Sequence, residues 1–174
     1  EYMVVNMTVL DIIEKRYSVR GYEDRPVEDE KLQQVLKAAQ LAPTGVNSQA
    51  FKIYVIDTKK HAQKLREVYD NDWFVEAPIV LAVVSKANDA WTRPWDLENL
   101  NEIDATIVMD HMILTATELG LGTCYIGAFH ERPLIELLDL SEEYHPVLLT
   151  PLGYPDAKPR ETTRKSIEEL VEYI

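Results

Sequence analysis

The chain has 174 residues, 46% of them hydrophobic and 28% charged, with a formal net charge of −12 and a single cysteine, Cys124. At roughly 150 residues per domain this is one folded domain, and its apolar content excludes disorder as the main state. One thiol excludes an internal disulfide framework and a thiolate-built zinc site, and the acidic surplus argues against sequence-independent nucleic-acid binding and against docking on anionic lipid.

Residues 1–7 have no basic cluster leading into an apolar run, so they do not read as a secretory signal; they are read as a tag-derived or disordered start ahead of a domain over 8–174. Residues 9–16 predict a helix, with Leu10, Ile13 and Tyr17 on one face and basic residues at the end that the helix dipole favours. Residues 18–22 read as a turn or extended piece. A second helix opens over 27–30, with its acids in the first turn and a stripe of Leu32, Val35, Leu36 and Ala39. Residues 43–48 form a loop by composition, 51–57 a strand, and 61–69 a short amphipathic helix.

Residues 77–84 are the longest apolar run, far short of the about 20 residues that a membrane span needs. Apolar on both faces, they predict a central strand. Residues 85–102 have no clean period and carry Trp91, Arg93, Pro94 and Trp95; long irregular stretches in compact domains tend to be lids or binding loops. Residues 104–119 predict a long helix apolar on nearly all sides, suited to a core or a subunit interface, ended by Gly120-Leu121-Gly122. A third strand over 123–129 runs into a turn, a helical turn or two follows over 133–138, and a fourth strand over 146–153. A last short helix over 166–173 starts with Ser166 and Glu169 spaced as a capping box. Strands separated by helices predict a mixed α+β sandwich with helices covering a sheet.

Few residues offer chemistry of their own. His61, His111, His130 and His145 lack the spacing of a metal motif, so no metal is expected. Cys124 sits in an apolar run and reads as a small buried hydrophobe rather than a nucleophile. Gly120, Gly122 and Gly127 mimic a dinucleotide fingerprint, but they end a helix instead of opening one, which reads as a C-cap. More informative are two basic islands in an acidic chain. Lys15, Arg16 and Arg20 form one; Lys158, Arg160, Arg164 and Lys165, against the single acid Glu161, form the other. Each alone reads first as a solvated helix end; together they suit a small anion.

Four segments carry a resemblance. Arg16-Tyr17-Ser18-Val19-Arg20 resembles the Arg-x-Ser-x-Arg/Lys segment of the flavin-dependent nitroreductase family. Pro43-Thr44-Gly45-Val46-Asn47-Ser48-Gln49 is similar to its Pro-Ser-x-x-Asn-x-Gln segment. The run from Gly120 through Ile126-Gly127-Ala128 to Phe129 resembles its Gly-Leu-Gly-x-x-x-Ile-Gly-x-Phe segment, and Gly153-Tyr154-Pro155 with Arg164-Lys165 resembles its ending. Thr44 stands where serine is commoner, Ala50 where proline is usual, and the chain is short for the family.

The resemblance implies a nitroreductase-like α+β fold, with a mostly antiparallel sheet of four to five strands, in a cytoplasmic homodimer binding FMN at the subunit interface. Carried over, Arg16, with Tyr17 beside it, and Ser18 would meet the phosphate and ribityl end, joined by Arg164 and Lys165. Arg20 would lie near the N1/C2 carbonyl edge. Asn47 would address the pyrimidine edge from the other subunit, with Pro43, Thr44 and Gln49 nearby. The turn of Tyr125, Ile126, Gly127 and Ala128 would bring a backbone N–H to N5. NADH or NADPH would supply hydride, and a nitroaromatic, quinone or similar acceptor would take it in ping-pong turnover. Reductive dehalogenation, flavin cleavage and flavin binding without turnover stay open as alternatives.

The physics agrees with this implication. Arginine forks match phosphate oxygens bidentately. A fixed cation at N1/C2 favours the reduced flavin, and the cofactor, rather than an acid–base pair, carries the hard chemistry. Trp91, Arg93 and Trp95 read either as a substrate clamp above the flavin or as residues pinning a surface crossover.

Overall fold

The computed structural model describes residues 7–174; the start read as tag-derived or disordered therefore lies, except for Met7, outside the described residues. In chain order the elements are α1 (Val9–Lys15), α2 (Asp29–Leu41), β1 (Phe51–Asp57), α3 (Thr58–Val68), α4 (Asp72–Glu76), β2 (Ile79–Ser85), α5 (Asn101–Glu118), β3 (Gly122–Thr123), α6 (Glu131–Leu138), β4 (His145–Gly153) and α7 (Ile167–Leu170). The four strands lie in the order β1-β2-β4-β3, and every neighbouring pair is antiparallel. Among the described residues no helix is long and apolar enough to cross a membrane.

The central strand β2 explains the layering. Its side chains alternate, so Leu81 and Val83 face one core with Val35 and Ala39 of α2 and Val108, Met109 and Met112 of α5. Val80 and Ala82 face a second core with Leu65 of α3, Phe74 of α4 and Leu134 of α6. Phe74, Leu65, Leu134 and Leu149 are fully buried, each contributing about 1.5–3 kcal/mol by removal from water. Helices thus cover both faces of the sheet, as the alternation of strand and helix patterns predicts.

The boundaries that differ from expectation have local causes. The helix α3 starts at Thr58 rather than 61 because Asp57 caps it, its side chain accepting the Lys60 N–H at 3.2 Å, while a non-helical kink at His61 (φ −124°, ψ 15°) breaks the periodicity. The five-residue α4 is too short to show a period. The strand β2 starts after Pro78, which has no N–H for the ladder; its carbonyl instead accepts from Thr58. The third strand is only two residues long. Thr150 Oγ1 intercepts the Cys124 N–H at 3.0 Å and takes it out of the ladder, after which only a bridge between Ile126 and Leu149 holds the segment.

Helix α5 ends as its glycines predict. Gly120 takes φ +76°, the Leu121 N–H reaches the Ala116 carbonyl at 2.8 Å, and the Gly120 N–H reaches Thr117 at 3.1 Å, which is a Schellman cap. Further on, Gly122 is obligatory for packing: a Cβ there would lie 2.8 Å from Val19 Cγ2. That close approach lets residues 17–19 lie along β3.

Candidate functional site

Arg16 and Ser18 follow the C-terminus of α1, and their backbone is fixed on both sides. The Val19 N–H donates to the Thr123 carbonyl at 2.9 Å, and Ser18 bridges to Thr123 in parallel. On the other side, Tyr17 OH donates to the Ala157 carbonyl at 2.7 Å and the Asp156 N–H donates to Gly21 at 2.9 Å. The N-terminal segment is therefore sewn between β3 and the start of the C-terminal tail. The result is a cleft of about 920 Å³ lined by Arg16, Ser18 and Arg20 from one end of the chain and by Arg160 and Arg164 from the other. Its volume lies in the range of small-molecule sites, about 300–1,000 Å³.

The electrostatics of this cleft set it apart. The chain has eight arginines. Arg25, Arg66, Arg93 and Arg132 each pair with a carboxylate, Glu28, Asp72, Asp96 and Glu136 respectively. Arg16, Arg20, Arg160 and Arg164 have no such partner among the described residues, and all four line the one cleft, although Glu14 and Glu161 line it too. Arg20 lies with its guanidinium 5.9 Å from the ring centre of Trp73. Beneath the cleft, burial pushes the Cys124 thiol up, outweighing the opposing pull of Arg20, Ser18 and Arg16, so the group stays a protonated, inert thiol.

The turn after β3 follows the strand that Ser18 bridges, and its Ala128 lines a separate cavity with Tyr69 and His130. Ile126 is buried and locked to Leu149 by two backbone hydrogen bonds of 2.9 Å. Tyr125 OH donates to Asp110 Oδ1 at 3.0 Å, and burial, seconded by that carboxylate, raises its pKa, so the phenol stays protonated. Gly127 and Ala128 are exposed. A Cβ at Gly127 would meet only Leu148 Cδ2, at 3.6 Å, an ordinary contact. The fold itself has no steric need for glycine there, which leaves room at the turn for something else.

The segment 43–49 lies elsewhere. Pro43 and Thr44 lead into a 3-10 turn, Gly45–Asn47, in which Val46 (φ 48°) and Asn47 (φ 58°), followed by Gln49 (φ 51°), are left-handed without being glycine. Each such residue costs about 1–3 kcal/mol, and Val46, being β-branched, is the most unusual of the three. The Gly45 N–H donates to Asp104 Oδ1 at 2.9 Å in the first turn of α5. Arg16, by contrast, shares a small cavity with Thr117 and Gly120 at the far end of that helix. At about 1.5 Å per residue, the helix separates these two anchor points by about 20 Å. The chain thus brings Arg16, Ser18, Arg20 and Arg164 to one cleft, which Asn47 and Gln49 do not line.

The hairpin over 90–100 packs on this second region: Trp91 Cβ and Leu100 Cδ1 come within 3.2 and 3.3 Å of a Cβ built on Gly45. Trp91 and Trp95 form a T-shaped pair with centroids 6.1 Å apart, and Trp95 is 73% exposed. Arg93 is held by Asp96, Nε to Oδ1 at 3.0 Å and Nη2 to Oδ2 at 2.7 Å, and so is not a free clamp. Lys165 is exposed and does not line the cleft. Two residues at these sites, Trp73 and Asp104, escaped the sequence reading, and Arg160 was read only as part of its island. Arg160 belonged to the basic island and had a visible signal; Trp73, in the short α4, had none; Asp104 was an acid inside an apolar helix.

A fold of this topology with a cation-lined cleft between the chain's two ends defines an α+β protein built to hold an anionic ligand. A profile of the Nitroreductase family matches residues 13–70 and 59–154, and the chain belongs to that family. Similar proteins include an FMN reductase (NAD(P)H) from Bacillus subtilis, 31% identical over 79% of this chain; the chain spans 62% of that relative's length. A crystal structure of a nitroreductase family protein from Clostridium difficile 630 matches with TM-score 0.89 at 37% identity, covering 96% of this chain and 98% of that one. An FMN-dependent nitroreductase from Clostridium difficile R20291 matches with TM-score 0.79 at 25% identity over 94% and 98%.

Proposed function

We propose that this chain, taken as one unit over 8–174, is an FMN-dependent oxidoreductase. It works as a homodimer and passes hydride from NADH or NADPH to a nitroaromatic, quinone or similar acceptor. One observation carries the reading: the four arginines without a carboxylate partner among the described residues all line a single cleft. A phosphate with close to two negative charges is the ligand class that such a set fits. The names of two relatives, an FMN reductase (NAD(P)H) and an FMN-dependent nitroreductase, support it. Because the hydride donor is a cytoplasmic cofactor, the reading carries a cytoplasmic setting.

FMN, when bound, would supply hydride-transfer chemistry between NAD(P)H and the second substrate, which would alternate in ping-pong fashion. The residues of the chain do the rest. Arg16, Ser18 and Arg164 hold the phosphate and ribityl end, with Arg160 adding charge. Arg20, backed by Trp73, offers a cation to the pyrimidine edge. Ile126 excludes water, and the bare backbone at Gly127 admits the ring edge. Trp91 and Trp95 form an aromatic edge for substrate beside the 44–49 turn, and Arg93 stiffens their hairpin through Asp96.

The separation of the two regions along α5 supports the homodimer. A two-fold partner brings its own Asn47 turn to this protomer's cleft, completing a site that neither chain completes alone. Exposed apolar residues support this: Val9, Leu10 and Ile13 on α1, Ile103 on α5, and Ile167, Leu170 and Val171 in the tail need a cover.

The test is the absorption spectrum of freshly purified protein, followed by anaerobic addition of NADH or NADPH. A yellow protein that bleaches, and is reoxidised by a nitroaromatic, is expected. Protein that takes up no FMN overturns the reading. A yellow protein that does not bleach is a flavin-binding module, and reoxidation by a halogenated substrate alone is the dehalogenase activity. A monomer in light scattering at micromolar concentration removes the shared site.

A further inference from the structure

The turn over 44–49 is the most strained backbone among the described residues, with three of their five positive-φ non-glycine positions at Val46, Asn47 and Gln49. Its internal hydrogen bonds move with it: Asn47 N–H to the Thr44 carbonyl at 2.9 Å, Ser48 N–H to Gly45 at 3.0 Å, and Gln49 N–H to Thr44 Oγ1 at 3.0 Å. Among the described residues, one polar contact of the turn reaches beyond its own neighbourhood, from the Gly45 N–H to Asp104 Oδ1 at 2.9 Å. Val46, Asn47 and Gln49 are all exposed, so no packing of their side chains holds the strained conformation.

Asp104 is an odd residue for its place. It is only 5% exposed, in an apolar helix beside the fully buried Ala105, and its second oxygen, Oδ2, has no hydrogen-bond partner among the described residues. Burying a carboxylate with one oxygen unpaired is costly, and an apolar side chain of the same size would pack at less cost. What the apolar side chain lacks is an acceptor for the Gly45 N–H. A carboxylate also suits the first turn of a helix, where the dipole favours negative charge.

We propose that Asp104 is a positioning residue for the cofactor site. It latches Gly45, and through Gly45 it fixes the left-handed turn, so that the side-chain amides of Asn47 and Gln49 are preset for the flavin ring of the neighbouring subunit. The proposal rests on the flavin reading above. Its logic is preorganisation: a turn held before the ligand arrives loses less freedom on binding than a loose one. The latch also joins the turn to the base of the Trp91–Trp95 hairpin, since the Asp104 N–H itself donates to the Leu100 carbonyl at 2.9 Å.

The experiment has two arms. In the wild-type protein, amide hydrogen exchange by NMR reads the Gly45 N–H directly; strong protection is expected although the turn is exposed, and exchange at the rate of an unstructured peptide overturns the latch. In the second arm, Asp104→Leu keeps the branched heavy-atom skeleton and removes the acceptor, while Asp104→Asn keeps both the size and an acceptor. With circular dichroism and dimer mass unchanged, Asp104→Leu should weaken FMN binding by about tenfold or more and Asp104→Asn by less than about threefold, because a single hydrogen bond to a charged acceptor is at stake. A smaller loss in Asp104→Leu, or equal losses in both, overturns the proposal. Should Asp104→Leu fail to fold, the wild-type amide decides. Should the wild type take up no FMN, the flavin reading fails, and the latch is judged by exchange at Gly45 in the wild type and Asp104→Asn.

Discussion

The hairpin over 90–100 and the cleft between the chain's two ends both carry arginine in exposed loops, and they use it in opposite ways. In the hairpin, Arg93 is chelated by Asp96, Asn99 Nδ2 donates to Thr92 Oγ1 at 2.8 Å, and the Asn101 N–H donates to Asn99 Oδ1 at 3.0 Å. The loop satisfies itself. In the cleft, four arginines stand together with no carboxylate partner among the described residues, in a chain with 30 acids to 18 basic residues. Partners are not scarce, so the lack of pairing is a property of the place. Clustered like charges repel, and surface pairs elsewhere contribute about 0–1 kcal/mol each. Charge neutralised within a loop is architecture, whereas charge left open on a defined backbone is a receptor for an anion.

Removing arginines from each region breaks or sharpens this contrast. The largest effect is expected from the double substitution Arg16→Ala with Arg164→Ala, which should weaken FMN binding by about 100-fold or more. Each charge-assisted contact is worth about 1.5–3 kcal/mol, so Arg16→Ala alone should cost about ten- to 150-fold. Arg93→Ala should change FMN affinity less than about twofold. Equilibrium titration by flavin fluorescence reads all three; an equal loss in Arg93→Ala would erase the distinction between the two regions.

Next in size is a complementation. Arg16→Ala disables the cleft and Asn47→Ala the turn, so each homodimer should bind FMN poorly. In mixed dimers, one of the two sites joins an intact cleft to an intact turn, and about half the sites should recover. Recovery measured after co-expression and separation of the mixed dimer checks the shared site, and its absence means that the turn serves its own chain. Smaller still, Arg20→Leu should lower the flavin midpoint potential. A loss of about 1–2 kcal/mol of differential charge stabilisation corresponds to about 20–45 mV for a two-electron couple. Potentiometric titration reads it, and an unaltered potential rejects a role for Arg20 at the ring.

What was legible in the sequence follows the range of the forces involved. The strand β1 appears at its observed bounds because its alternation and its flanks are local. The α7 capping box was equally local, with the Ser166 side chain and Glu169 in place. The third strand was overestimated because Thr150, 26 residues away, takes the Cys124 N–H, and no local pattern reveals that. In the site, Arg16, Ser18, Arg20 and Arg164 stood out as cations and a hydroxyl against an acidic background, and Arg160 lay in the same island. Lys165 shared that signal, yet the tail turns it to solvent. Asp104 and Trp73 were not legible, because their meaning lies in what they touch: a turn 59 residues away for Asp104 and the Arg20 guanidinium for Trp73.

A second cluster of cations gives the smallest expected effect and the sharpest control. Arg25, Glu28, Lys31 and Tyr154 form a closed network: Tyr154 OH donates to Glu28, Lys31 Nζ donates to Tyr154 OH at 2.9 Å, and Arg25 stacks 3.7 Å from the Tyr154 ring centre. Lys31 also donates to the Leu119 carbonyl at 2.9 Å, tying α2 to the end of α5. The Tyr154 hydroxyl first, and the cations Arg25 and Lys31 less strongly, hold the Glu28 carboxyl down to about 2, from 4.5. Its folded pKa is depressed, so its stabilising contribution is fully present above about 4.5 and is lost as pH falls toward 2. Glu28→Gln should therefore flatten the fall of Tm between those pH values without changing FMN affinity at neutral pH. The carboxylate is exposed, so the change is small. Thermal melts of both proteins across that range read it: a fall equally steep in Glu28→Gln assigns the acid sensitivity to other carboxylates, while a loss of FMN would mean that the paired network, too, belongs to the ligand site.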